Sequence, residues 1–230
     1  MKIKSLPIRD YVWPDIPLKP HQTADFLSHE ILGFIGRHKS LFDNADELIR
    51  RMHNSGHHYT VVQIGSDKGA LNITAYGKDA IRDVENWWKI YKKVNNIRPD
   101  NQIICKEKYT LSYDARPHTY RADTLLINRR KARELEALEN NPSAYYETFE
   151  RYLTANFLPL YNLIGHRHDK EKHDVTPRIL QIKKHPRTYK VFRQYRRPGF
   201  DVVFQTVLRL PVHFRMGEST ALGYGKITHL

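Results

Sequence analysis

The stretch from Asp43 to Tyr91 alternates helical and extended patterning, and this alternation constrains the fold more than any other feature. Residues 43–52 (DNADELIRRM) read as a helix. Asp43 or Asn44 can cap it, and acids fill its first turn, where the helix leaves amide groups unpaired. Asn54-Ser55-Gly56 ends it. Residues 59–64 (YTVVQI) are rich in β-branched side chains and read as a strand. Ser66-Asp67-Lys68-Gly69 supplies a hairpin turn, and residues 70–76 (ALNITAY) form the return strand. Residues 79–91 place Ile81, Val84, Trp87, Trp88 and Tyr91 at helical spacing. A short apolar run at residues 29–36 (HEILGFIG) comes before all of these and is either a strand or the end of a helix. With a strand first, the order is strand, helix, strand-turn-strand, helix, which fits one half of a ferredoxin-like unit.

The rest of the chain repeats the mixture. Residues 106–113 (KEKYTLSY) alternate like a strand, and residues 128–140 form a highly charged, exposed helix. Ser143 is placed to cap the next helix, residues 145–158, whose aromatic and aliphatic face belongs in a core. Residues 160–165 (LYNLIG) follow and end in glycine. Strand-like segments come next at 178–184, 188–195 and 200–210, with Arg196-Arg197-Pro198-Gly199 read as the turn between the last two. At 230 residues the chain has room for two domains of about 100–130 residues each. The expected division falls around residues 95–100, giving modules 1–98 and 99–230 in an α+β fold.

Charge narrows the function. Lys and Arg number 38 against 25 Asp and Glu, a net charge of +13. Eleven of these cations (Arg178, Lys183, Lys184, Arg187, Lys190, Arg193, Arg196, Arg197, Arg209, Arg215 and Lys226) lie between Thr176 and Leu230, opposed only by Asp201 and Glu218. A polyanion should therefore meet the C-terminal half first. No apolar run approaches the ~20 residues of a membrane span, and the first residues lack the apolar core of a secretory signal. Cys105 is the only cysteine, so an internal disulfide and a cysteine-built zinc site are excluded, and a reducing cytoplasm is expected.

The sharpest local signal lies between Phe200 and Ile227. A strand leads through Leu210-Pro211 into Arg215-Met216-Gly217 and then Leu222-Gly223-Tyr224-Gly225-Lys226. Glycines so spaced let a backbone approach a phosphate and present N–H groups, with Arg215 and Lys226 adding charge. Read on local chemistry alone, they are turns between strands. This segment resembles the glycine-rich loop of the CRISPR repeat-processing endoribonucleases, the sixth Cas family of the RAMP superfamily, and in particular its subtype I-B-like branch. The likeness extends to residues 153–165 (LTANFLPLYNLIG), to Leu126-Ile127-Asn128, and to Gly33-Phe34 with Tyr59-Thr60-Val61-Val62-Gln63. Thr206 and Leu210-Pro211 match a family phrase whose asparagine is absent here.

The resemblance implies two ferredoxin-like (RAMP/RRM-like) modules in tandem. It also implies metal-independent, cofactor-free cleavage of CRISPR repeat RNA, in which a ribose 2′-oxygen attacks the adjacent phosphate. The products are a 2′,3′-cyclic phosphate and a 5′-hydroxyl. Histidine suits the proton transfers because it titrates near neutrality. His53 matches the first histidine of the branch's catalytic phrase, and Ser55 stands where the second would be. A different alignment, through residues 41–45, would remove both. His38 is the second candidate, His57 and His58 flank the strand start, and Tyr59 is placed to orient a ribose or phosphate.

The run KKHPRTYKVFRQYRRP, residues 183–198, interleaves cations with Tyr189, Phe192 and Tyr195. A basic hairpin of this kind can clamp a phosphate backbone while its aromatics stack on unpaired bases. The expected RNA contacts are Lys183, Lys184, Arg187, Lys190, Arg193, Arg196, Arg197, Arg215, Gly217, Gly223, Gly225 and Lys226. Trp87 and Trp88 are expected in the core. His166, His168 and His173 lie in a charged loop, where RNA contact is favoured over a metal. The partner is then CRISPR repeat RNA or its product crRNA, with effector-complex subunits as further partners. The alternative is a repeat-RNA-holding subunit that has lost cleavage. EDTA separates both from a metal-dependent nuclease built on the three loop histidines.

Overall fold

A computed structural model describes residues 5–53, 61–97, 101–164, 175–191, 195–211, 214–217, 219–220 and 224–230. The chain forms two compact units, one of residues 6–109 and the other chiefly of residues 110–220 and 224–230.

The first unit opens with β1 (Ser5–Pro17), an element that carries Pro7, Pro14 and Pro17 and so lacks a clean strand signature. Its burial still alternates, with Leu6, Ile8 and Asp10 inward. Asp10 is buried as the acceptor of hydrogen bonds from Asn72 Nδ2 at 2.8 Å and Thr74 Oγ1 at 2.6 Å. Helix α1 (Thr23–Asp25), a π-helical stretch (Phe26–Gly33) and α2 (Phe34–Arg37) run on from one another. The apolar run at 29–36 is therefore helical, and Leu27, Ile31, Phe34 and Ile35 are its buried stripe. Asn44 caps α3 (Ala45–His53), accepting from Glu47 N at 3.3 Å.

Strands β2 (Val62–Asp67) and β3 (Ala70–Tyr76) meet at Lys68 and Gly69, both at positive φ, +49° and +85°. That is the turn geometry whose twist matches a tight hairpin. Helix α4 (Lys78–Val94) buries Ile81, Val84, Trp87 and Trp88. Trp88 packs on Trp13 of β1 with ring centroids 4.9 Å apart, so both tryptophans are core as expected. Strand β4 (Ile103–Thr110) completes a sheet of order β2-β3-β1-β4. It carries this unit past residue 98. The single strand read at 106–113 thus stops at Thr110, and Tyr113 opens a strand of the other sheet.

The second unit has strands β5 (Tyr113–Leu126), β6 (Arg178–Val191), β7 (Tyr195–Leu208) and β8 (Lys226–His229), in the order β6-β7-β5-β8. Numbered within each unit, both sheets read 2-3-1-4, the ferredoxin-like order, and the fold is mixed α+β. Helices α5 (Arg129–Glu136) and α6 (Pro142–Leu163) connect β5 to β6. Asn128 caps α5. Asn141, not Ser143, caps α6, accepting from Ala144 N at 3.3 Å, with Pro142 at the first position, where a missing N–H costs nothing. Phe149, Leu153, Phe157 and Leu160 of α6 are fully buried, and Phe149 and Phe157 pack on Phe200 and Phe204 of β7. The first unit places α4 before its last strand. In the second unit the glycine-rich sequence falls at that point of the chain, between β7 and β8.

Candidate nucleic-acid interface

Strands β6 and β7 carry the basic surplus of the second unit. Their register runs from Lys183↔Asp201 through Tyr189↔Arg197 and Lys190↔Arg196 to Val191↔Tyr195. Residues 196–199, expected as a turn, are therefore strand. Gly199 serves packing instead of chain reversal: a Cβ there would lie 2.6 Å from the Tyr189 ring. The register also sets Lys190 opposite Arg196 along the backbone. Lys183, Arg187 and Arg196 are exposed. Lys184 is exposed as well but is engaged by Glu136 at 3.3 Å and Glu139 at 3.1 Å. The hydrogen bond to Glu139 is the main reason its ammonium is held above the usual lysine range.

Two irregularities shape the corner beside these cations. The β6 register slips between Lys184 and Thr188, and the bulge turns His185 toward β7. His185 Nε2 lies 2.9 Å from Asp201 Oδ1, and its Nδ1 contacts the Tyr189 hydroxyl. The β5 register slips between Ala122 and Leu125, with Thr124 at φ +50°. The slip frees the backbone groups of Thr124 from the ladder. Asp201 Oδ1 accepts from Thr124 N at 3.0 Å, and the Thr124 carbonyl accepts from Gly225 N at 3.2 Å. One carboxylate thus ties both irregularities together. Above it the Tyr189 ring faces Tyr224, centroids 5.7 Å apart and tilted 68°, with the Arg187 guanidinium 5.5 Å from Tyr189. A cation, two aromatic rings and a buttressed histidine share this corner.

Burial by itself would raise the Asp201 carboxyl, but the Thr124 N–H, His185 and Arg121 outweigh it and hold the group below the usual aspartate value. A carboxyl lowered in the folded state adds stability that is complete above its unfolded pKa, ~3.9, and is lost as pH falls through the lower folded value. Wild type is expected to exceed Asp201→Asn by about 1.5–3 kcal/mol at pH 7, the range for a hydrogen bond to a charged group. Thermal melts of the two proteins should converge as pH is lowered below ~4.

The glycine segment turns its amides inward. Gly217 lies at φ +91° and donates its N–H to Asn156 Oδ1 at 2.7 Å. Gly225 lies at φ +70°, and its N–H is the one bonded to Thr124. These two N–H groups therefore close the fold instead of facing a phosphate. Arg215 is 2 % exposed and bridges to Lys226 across the segment, which makes it a core residue. Lys226 and Tyr224 are half-buried. Sequence reasoning passed over His185, Asp201 and Tyr224. The available signal was His185-Pro186 inside an otherwise strand-like basic run, since such a pair marks a bulge. Lys190 keeps a backbone place in β6, but its side chain, like Arg193 and Gly223, lies outside the described residues.

In the first unit, His38 follows α2 and packs its ring 4.6 Å from Phe34, half-buried. His53 is the last residue of α3, and its side chain is outside the described residues, as are His57, His58 and Tyr59. Helices α2 and α3 pack together, so both histidines stand at the C-terminal ends of neighbouring helices. Arg51 fixes α3 against α4 through two bonds to the buried Asp83, at 2.6 and 2.8 Å. The cluster His166, His168 and His173 is also outside the described residues. Among those described, no group of three or more His, Cys, Asp or Glu is arranged to hold a metal, and no helix is long and apolar enough to cross a membrane.

No protein-family profile and no curated protein matches the chain. Solved structures do. A crystal structure of Cas6b is similar at TM-score 0.74 and 15% identity, over 98% of this chain and 100% of that one. A crystal structure of the CRISPR RNA processing endoribonuclease Cas6b is similar at 0.68 and 16%, with the same coverage. Csf5, a type IV Cas6 crRNA endonuclease, is similar at 0.61 and 13%, over 98% of this chain and 99% of that one. At such identities the shared property is the fold, and it extends over the whole chain.

Proposed function

We propose that this chain is a CRISPR repeat-RNA endoribonuclease of the Cas6 type. It would cut precursor RNA within repeats by metal-independent attack of a 2′-hydroxyl on the adjacent phosphate. The observation that carries this reading is the basic strand pair β6–β7, with Lys183, Arg187 and Arg196 exposed beside Tyr189 and Tyr224, in a chain whose two ferredoxin-like sheets follow Cas6 from end to end. The structurally similar proteins bear the names of CRISPR RNA endonucleases.

The division of labour follows from the chemistry. The second unit holds RNA. Arg187 and its neighbours take phosphates, while Tyr189 and Tyr224 offer rings to an unpaired base. The first unit supplies proton transfer through His53, with His38 the alternative. Repeat RNA incubated with the protein in EDTA should yield discrete products ending in a 2′,3′-cyclic phosphate. An absence of cutting, or cutting that needs a divalent ion, overturns the reading.

The RNA-holding role has its own test. Each phosphate contact with a single strand contributes about 0.7 to the slope of log affinity against log salt. The triple variant Lys183→Ala, Arg187→Ala, Arg196→Ala should bind repeat RNA more weakly, with a slope shallower by about 2. Filter binding across a salt series measures it. An unchanged slope would place the RNA elsewhere.

A further inference from the structure

Away from the basic corner, at the far end of β5, three titratable side chains form a chain of their own. His118 of β5 and His229 of β8 lie side by side, with His118 Nδ1 and His229 Nε2 3.2 Å apart and the rings inclined at 61°. The other nitrogen of His118, Nε2, is held by the Asp114 carboxylate. The backbone fixes this meeting. Tyr120 pairs in register with His229, and Leu230 N donates to Thr119 O at 3.0 Å. The Tyr120 ring packs against both imidazoles, 6.0 Å from His118 and 5.3 Å from His229. None of these residues has a part in the RNA contacts or proton transfers proposed above.

We propose that His118 and His229 form a binding site for a divalent first-row transition ion of the Zn²⁺ or Cu²⁺ kind. A carboxylate on Nε2 places the proton of neutral His118 there and leaves the Nδ1 lone pair facing His229. Two imidazole nitrogens bonded at 2.0–2.1 Å to one tetrahedral ion stand about 3.3–3.4 Å apart, so the observed spacing needs almost no adjustment. A ligand histidine whose second nitrogen is held by a carboxylate is also the usual outer arrangement of metal sites, since the carboxylate fixes the ring and strengthens its donor nitrogen. Two donors leave the remaining coordination positions to water. The donor set is imidazole without thiolate, which suits Zn²⁺ and Cu²⁺, with Cu²⁺ bound more tightly. The side chain of His118 is 26% exposed and His229 is exposed, so an ion can reach both. Bound there, it would link the four-residue β8 to β5 across the edge of the sheet.

The chain has thirteen histidines, so the test must single out two. Metal-free full-length protein carrying His166→Ala, His168→Ala and His173→Ala serves as the background. It is titrated with Zn²⁺ by calorimetry and with Cu²⁺ by electron paramagnetic resonance. The background should bind an ion whose copper signal shows two nitrogen ligands. His118→Gln and His229→Gln should each lose that ion, and Asp114→Asn should weaken it about 10–100-fold. Binding and copper signal unchanged in either histidine variant overturn the site. Should a variant fold poorly, ring-nitrogen NMR of the background protein decides. Zn²⁺ must shift His118 Nδ1 and His229 Nε2, and their failure to shift overturns the proposal.

Discussion

His53→Ala is expected to lower the single-turnover rate of repeat-RNA cleavage about 10²–10⁴-fold, the usual contribution of one general acid or base. RNA affinity should hardly change, because binding is assigned to β6, β7 and Tyr224, which the substitution does not touch. The helix carrying His53 should also survive. Asn44 caps its start, and its last turns are fixed by Arg51 bonded twice to Asp83, which is 4% exposed. His38 provides the comparison. Its ring packs on Phe34, so His38→Ala removes a packing contact as well as an imidazole and should show a stability loss beside any loss of cleavage. If His38→Ala abolishes cleavage and His53→Ala does not, catalysis moves to the end of α2. If both variants cut at the wild-type rate, proton transfer belongs to another group. The serine at position 55 makes this experiment more than a formality. On the alignment that sets Ser55 against the second histidine of the family phrase, His53 must carry a larger share, or a neighbour must replace the lost function.

What could be read in advance divides along physical lines. The β2–β3 hairpin was legible from its β-branched first strand and its Lys68-Gly69 turn, and Ala70–Tyr76 has the expected bounds, although β2 runs on through Ser66 and Asp67, which had the composition of the turn. Helix α4 was legible from the spacing of Trp87, Trp88 and their neighbours. Strand β1 was not, because three prolines and a buried Asp10 break the apolar alternation, and Asp10 accepts hydrogen bonds from Asn72 and Thr74 of β3. Local sequence cannot announce a partner sixty residues away. The same reason hid the corner at His185. Arg196-Arg197-Pro198-Gly199 has the composition of a turn, but Gly199 answers to the ring of Tyr189 on the facing strand. The glycine segment was located correctly in the chain, while the destination of its amides depended on Asn156 and a bulge at Thr124 that only the fold brings near.

Gly225→Ala should be the most damaging substitution in that segment, and a series of three glycines isolates the reason. Gly225 has φ +70°, and a Cβ there would collide with the Met216 carbonyl oxygen. The obstacle is backbone, so no rotamer relieves it. Moving apart strains the bonds from Met216 N to Gly225 O at 3.0 Å, Gly225 N to Thr124 O at 3.2 Å and Ile227 N to Phe214 O at 2.8 Å. The left-handed conformation costs an L-residue roughly 1–2 kcal/mol, and each hydrogen bond contributes about 1 kcal/mol, so the expected loss is about 3–5 kcal/mol. At roughly 2–4 °C per kcal/mol for a chain of this size, that is a fall in Tm on the order of 10 °C. Gly69 also has positive φ, +85°, but no atom lies within 4 Å of its Cβ position, so Gly69→Ala should show the backbone cost alone, ~1–2 kcal/mol. Gly36 lies in α2 with open space around it and no positive φ, and Gly36→Ala should be neutral or stabilise by up to about 1 kcal/mol. The order Gly225, Gly69, Gly36 in thermal melts follows from geometry alone. Equal losses at Gly225 and Gly69 would mean that the segment gives way to a side chain and that its close approach to Met216 is not what holds β8 in place. RNA affinity should fall for Gly225→Ala alone, since Tyr224 stands next to Gly225 and is held against Tyr189 by that segment, whereas Gly69 and Gly36 lie in the first unit and the residues assigned to RNA lie in the second.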